Sequence, residues 1–172
     1  MKAKGYSLWL MPTGEVYDKF SGLIRRLAEE YRAPLFAPHI TLLGETRQSE
    51  EDVLRKAKQL ASIQKPFPVT LNTVDYQDFY FRTLFVRADR TNSLQALHDR
   101  AKEIFEMQDI PYYMPHLSLL YGNFPKTVKE QIIKSIGRDQ ATEFTVKGID
   151  VFKTDGEEKT WHRVKQENFL LE

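Results

Sequence analysis

The spacing of apolar residues changes several times along the chain, and each change marks an element. Tyr6 to Met11 is an unbroken aromatic and aliphatic run closed by Pro12, which reads as a strand. From Glu15 to Tyr31 the period becomes helical, with Val16, Phe20, Leu23, Leu27 and Tyr31 on one face and Thr13 at the N-cap. Pro34 and Pro38 interrupt, and His39 to Leu43 is a second strand stopped by Gly44. Glu50 to Ile63 is a second helix with Val53, Leu54, Ala57, Leu60 and Ala61 inward, and Pro66 and Pro68 open a third strand through Val69, Leu71 and Val74. The order then returns: strand Tyr80–Ala88, helix Thr91–Met107, strand His116–Tyr121, helix Pro125–Ile136 and strand Thr142–Lys153. A last strand is expected at Thr160–Lys165, after Asp155-Gly156.

One offset relates the two halves. His39 and His116 lie 77 positions apart (116 − 39), and the same step carries position 6 to 83, 15 to 92, 50 to 127 and 69 to 146. The best local match sets Pro38-His39-Ile40-Thr41-Leu42-Leu43 against Pro115-His116-Leu117-Ser118-Leu119-Leu120. A strand–helix–strand–helix–strand unit occurring twice predicts two lobes about a pseudo-two-fold axis rather than a solenoid, which needs more copies. The lobes are expected at 5–76 and 80–153, with the final strand at 160–165, in a single domain spanning 1–172.

Strand alternation puts residues two apart on the same face. His39 and Thr41 therefore share a face, as do His116 and Ser118, while Ile40, Leu42, Leu117 and Leu119 point to a core. Facing each other across a two-fold, these strips line a cleft with two imidazoles and two hydroxyls. Two imidazoles, with an ordinary pKa near 6.5, can hold opposite protonation states near neutral pH and act as general base and general acid. Hydroxyls can donate to the non-bridging oxygens of a phosphoryl group. That set suits opening of a cyclic phosphodiester without a metal. One His-x-Thr or His-x-Ser alone would be read as structural, and strand hydroxyls often satisfy only a neighbouring backbone; the repetition raises the pair above that reading.

Composition narrows the field. The chain has 172 residues, 41% apolar and 28% charged, with 25 Lys+Arg against 24 Asp+Glu and a net charge of +1. That is ordinary for one globular domain, without the basic excess of a long nucleic-acid or membrane-surface tract. There is no cysteine, which excludes disulfides, thiolate nucleophiles and cysteine-type zinc sites. No apolar run reaches the roughly 20 residues of a membrane span, and the N-terminus lacks a signal-peptide core. A cytoplasmic monomer without cofactor, metal or membrane partner is the resulting expectation.

The paired motifs resemble those of the two-histidine (2H) phosphoesterase superfamily, and within it the plant-type cyclic phosphodiesterases. Tyr6-Ser7-Leu8-Trp9-Leu10-Met11-Pro12 resembles that family's opening strand, Phe36-x-Pro38-His39-Ile40-Thr41 its first motif, and Tyr113-Met114-Pro115-His116-Leu117-Ser118-Leu119-Leu120-Tyr121-Gly122 its second. The resemblance implies a bilobal α+β fold, antiparallel sheets lining a central cleft with helices outside. It implies opening of ADP-ribose 1″,2″-cyclic phosphate and nucleoside 2′,3′-cyclic phosphates to monophosphates. By the same resemblance His39 and His116 are catalytic, with His116 as base and His39 as acid, Thr41 and Ser118 bind phosphate, and Trp9 and Tyr121 contact the ligand. Plant members carry cysteines, so no redox-regulated loop carries over.

Trp9 offers a flat indole on which a base can stack, against the plainer reading of a core aromatic. Tyr121 lies on the opposite strand face from Ser118 and reaches the cleft only if the chain bends near Gly122. Phe79, Tyr80, Tyr112 and Tyr113 read foremost as packing residues, with one of the four a candidate for the base-pocket wall, and His98 and His162 read as surface residues. Alternative functions are an RNA 2′,3′-cyclic phosphodiesterase or 2′–5′ RNA ligase, for which RNA would be a partner only as a cyclic-phosphate-ended substrate, and a non-catalytic nucleotide-binding module. A zinc hydrolase is disfavoured, because neither motif supplies enough ligands.

Overall fold

The structure, a computed structural model, describes residues 2–170; Met1, Leu171 and Glu172, the ends of the expected domain, lie outside them. The strands are β1 (Tyr6–Leu10), β2 (Ile40–Thr46), β3 (Phe67–Asp75), β4 (Leu84–Ala88), β5 (His116–Leu120), β6 (Asp139–Val146), β7 (Gly148–Lys153) and β8 (His162–Asn168). The helices are α1 (Gly14–Tyr31), α2 (Glu50–Ala61), α3 (Asn92–Ile104) and α4 (Lys126–Ile136). The fold is α+β, as the resemblance implies. Among the described residues no helix is long and apolar enough to cross a membrane.

All eight strands form one curled antiparallel sheet in the order β6-β3-β4-β5-β2-β1-β7-β8. The two sheets expected of two lobes are halves of this one, joined where β2 meets β5 at the single register pair Ile40↔Leu117. The motif strands are therefore neighbours at the centre. The first helix of each half packs across the join, α1 on β5 and α3 on β2.

Several expected boundaries shift. Thr142–Lys153 is not one strand: the chain turns at Lys147 between β6 and β7. The 77-residue step carries β3 to 144–152, mostly onto β7, while β6 pairs with β3 itself, Val69 opposite Phe144. The spatial counterpart of β3, which flanks β4, is β7, which flanks β1. Single-sequence periodicity could not separate two adjacent strands of the same pattern. Gly44 does not stop β2, which runs on through a positive-φ Glu45 (φ 53) to Thr46. Gly5 faces that end of β2 at φ 72, and a Cβ there would lie 2.1 Å from the Thr46 carbonyl oxygen, so only glycine fits. Tyr80–Arg82 forms a short 3₁₀ turn instead of the start of β4. Thr13 makes no side-chain cap, whereas Ser49 and Thr91 accept from the backbone N–H of Asp52 and Leu94 and start α2 and α3.

The main core lies between sheet and helices. Phe20, Ile24 and Leu27 of α1, Val53, Ala57 and Leu60 of α2 and Leu94 and Leu97 of α3 are buried there against Ile40, Leu42, Leu117 and Leu119. The alternation read from the motifs holds: the aliphatics face the helices and leave the histidines to the other side.

Candidate active site

His39 and His116 enter the cleft from matching positions. His39 immediately precedes β2 and His116 begins β5. Each ring turns its Nδ1 back to the carbonyl two residues earlier, His39 to Ala37 at 2.7 Å and His116 to Met114 at 2.8 Å. A carbonyl only accepts, so Nδ1 carries the hydrogen in both and Nε2 is left to act on a ligand. The two rings, Thr41, Ser118, Trp9 and Tyr121 all line one cavity of about 230 Å³. All six residues singled out by sequence thus meet.

Their surroundings are less alike than the motifs. Trp9 lies against His39 with ring centroids 3.5 Å apart and planes within 5°. Phe152 stacks on Trp9 at 3.8 Å and 19°. Two parallel rings this near one indole cannot share a face, so both faces of Trp9 are covered. His39 and Phe152 occupy its faces, and Trp9 remains on the cavity wall. On the other side the sheet register sets Phe85 opposite Ser118 as Trp9 is set opposite Thr41. Phe85 meets His116 at 61° with centroids 5.0 Å apart.

Burial pushes both imidazoles down, His39 to about 3 and His116 to about 4. Backbone hydrogen bonds oppose this in each. The next cause differs: for His39 it is the charge of His116 itself, and for His116 it is the guanidinium groups of Arg82 and Arg87. Burial thus favours the neutral form of both rings near pH 7.

Ser118 Oγ donates to the Phe81 carbonyl at 3.0 Å. Its backbone-satisfying role is therefore real. The Thr41 hydroxyl has no hydrogen-bond partner among the described residues. Tyr121 reaches the cavity because β5 ends at Leu120 and the chain bends at Gly122 (φ 137); its ring stacks on Phe36 at 3.8 Å. Burial raises its hydroxyl pKa well above the usual range, so it stays a phenol.

Phe79, one of the four aromatics considered for a base pocket, lines the cavity, and so do Phe81, Arg82 and Trp161, which were not found from sequence as site residues. They come from the 3₁₀ turn and the approach to β8, outside either motif; an arginine directly after three aromatics, just before β4, was the available signal. Of the packing aromatics, Phe79 is exposed at the cleft and Tyr112 is exposed outside it, whereas Tyr80 and Tyr113 are half-buried. His162 is exposed as expected, but His98 is buried, stacked on Tyr113 at 3.8 Å and 5°. Among the described residues no three His, Asp or Glu side chains converge as a metal-ligand group.

Residues 17–158 match the family model of the 2′-5′ RNA ligase superfamily. The chain belongs to that superfamily. Its members are the two-histidine phosphoesterases that the motifs resemble, and the chain is a phosphoesterase. A curated relative, the cyclic phosphodiesterase of Arabidopsis thaliana, is 26% identical over 164 residues, 93% of this chain and 91% of that one. Two solved structures share the fold. TT0787 of Thermus thermophilus aligns with TM-score 0.64 at 16% identity, over 96% of this chain and 97% of its own. E. coli LigT complexed with 3′-AMP aligns with TM-score 0.64 at 12% identity, over 99% and 100%. LigT has also been solved with NADP+ and with ATP.

Proposed function

We propose that this phosphoesterase opens cyclic phosphodiesters by metal-independent acid–base catalysis between His39 and His116. The observation that carries the reading is the pair of imidazoles whose Nδ1 atoms are both tied to backbone carbonyls, leaving two Nε2 atoms in one cavity with Thr41 and Ser118. Water attacks phosphorus and gives its proton to His116. The new P–O bond forms as the ring P–O bond breaks, and His39 delivers a proton to the departing sugar oxygen. Thr41 donates to one non-bridging oxygen, and Ser118 donates to the other once its hydroxyl turns from the Phe81 carbonyl to the ligand. Proton exchange with solvent resets the pair.

The neighbours support this division of roles. Burial, with the charges of Arg82 and Arg87 adding to it, holds His116 neutral and so able to accept a proton. The indole face of Trp9 lies where it stabilises an imidazolium at His39. The bound phosphodiester anion supplies the counter-charge that burial removes, and His39 can then carry the acid proton.

Nucleoside 2′,3′-cyclic phosphates and ADP-ribose 1″,2″-cyclic phosphate are the proposed substrates, in line with the Arabidopsis relative's name. A second cavity of about 870 Å³ adjoins the cleft and shares Trp9 and Trp161 with it, with Arg25, Tyr17 and Tyr80 on its walls. This room beyond the histidines favours a substrate longer than a mononucleotide.

Phosphorus NMR of products from each cyclic phosphate tests the proposal. Expected are ADP-ribose 1″-phosphate and nucleoside 2′-phosphates, undiminished by exhaustive chelation. His39→Ala and His116→Ala are each expected to lose on the order of 10²–10⁴-fold in kcat. Near-normal turnover in either variant, or chelation loss restored by zinc, overturns the mechanism.

A further inference from the structure

The join between the halves is thinly bonded where the first motif sits, and two side chains from the second half make up the difference. Counting antiparallel from Ile40↔Leu117 brings Pro115 opposite Leu42. Proline has no N–H, so the ladder has no donor there. On its other edge β2 bulges: Trp9 pairs with Thr41 and Leu8 with Leu43, leaving Leu42 as the extra residue. A bulge beside a proline leaves backbone carbonyls to be satisfied by other groups.

Two groups supply the donors. The Tyr113 hydroxyl donates to the Thr41 carbonyl at 3.2 Å. The His98 Nδ1–H donates to the Leu42 carbonyl at 2.8 Å. The two rings stack flat on each other, which fixes both. His98 belongs to α3 and Tyr113 to the loop entering β5. Neither lines the histidine cavity; both line a separate one of about 350 Å³. They touch the motif backbone without reaching the ligand.

We propose that His98 and Tyr113 are positioning residues for the proposed reaction, a stacked pair that holds the bulged Thr41–Leu42 backbone and through it the Thr41 hydroxyl and the adjoining His39. The proposal rests on the two-histidine reading of the cleft. Matching positions one repeat earlier, Ser21 and Phe36, form no such pair; Phe36 stacks on Tyr121 instead. The brace is therefore one-sided, tying the first motif to the second half.

Tyr113→Phe deletes one oxygen and keeps the stack. It is expected to lower kcat for a nucleoside 2′,3′-cyclic phosphate roughly tenfold, the scale of outer-shell support at active sites. That loss should shrink in a Thr41→Ala background, which removes the part carried by the Thr41 hydroxyl and keeps the part carried through His39. His98→Leu should lose kcat similarly, and His98→Asn, whose amide nitrogen can replace Nδ1, should recover most of it. Wild-type-like kcat in folded Tyr113→Phe, or full additivity with Thr41→Ala, overturns the proposal. If His98→Leu does not fold, Tyr113→Phe decides alone. The His39 ring resonances give a readout without turnover: they should move in Tyr113→Phe, and unchanged resonances also overturn the proposal. If the wild-type protein opens no cyclic phosphate, the functional reading fails instead, and the resonances still test the brace.

Discussion

Trp9 lies flat on His39, 3.5 Å between centroids and 5° between planes, while its structural counterpart Phe85 meets His116 edge-on. The duplicated motifs thus stand in unequal settings. An indole face stabilises a cation by about 0.5–2 kcal/mol, and 1.36 kcal/mol is one pKa unit. Trp9→Leu keeps the site apolar and removes that face. With His39 as the acid, the alkaline limb of the kcat–pH profile should move down by roughly 0.4–1.5 units. An unmoved alkaline limb would take the acid role from His39.

Arg82 should act with the opposite sign at the other histidine. Its charge holds the His116 pKa down. Arg82→Gln should therefore raise it and shift the acidic limb, set by the base, to higher pH. KM for a cyclic phosphate should rise as well, because a cation on the cavity wall is lost. Parallel pH titrations of kcat in the variant and wild type check this.

The two hydroxyls should separate by stability. Ser118→Ala strands the Phe81 carbonyl, a loss of about 1 kcal/mol. Thr41→Ala breaks no hydrogen bond of its own side chain among the described residues and should leave stability nearly unchanged. Both should impair turnover. Urea midpoints beside kcat/KM distinguish the effects; equal destabilisation would contradict the geometry.

Folding stability should fall with acid over a defined window. His39 and His116 have folded pKa values of about 3 and about 4, against an ordinary 6.5. Below 6.5 the unfolded chain takes up protons that the folded chain refuses, so their share of stability is full above that pH and is lost progressively as pH falls toward 3. Replacing both by Gln should flatten the dependence between pH 6.5 and 4. An unchanged slope in urea denaturation would show that the rings are not held neutral.

The motif residues were legible because strand periodicity and a repeat are local signals. His39 and Thr41 share a face whatever the tertiary structure, and the offset of 77 needs only counting. Helices α1 to α4 were legible for the same reason, their apolar faces recurring at a fixed period. His98 was not: a histidine among polar neighbours on a helix looks exposed, and only the docking of α3 on β2 buries it against Tyr113. Arg82 left only a weak local signal, because its value to the cleft comes from a turn that brings it beside His116, far away in sequence.

By itself, then, the sequence determined the elements, the pairing of two equivalent motifs and the chemical groups they carry, since each follows from the order of residues along one chain. Tertiary structure decided which third strand flanks which half, and set Trp9 under one imidazole and arginines beside the other. Those relations depend on long-range packing and on the charge and burial that packing creates, which no local pattern encodes.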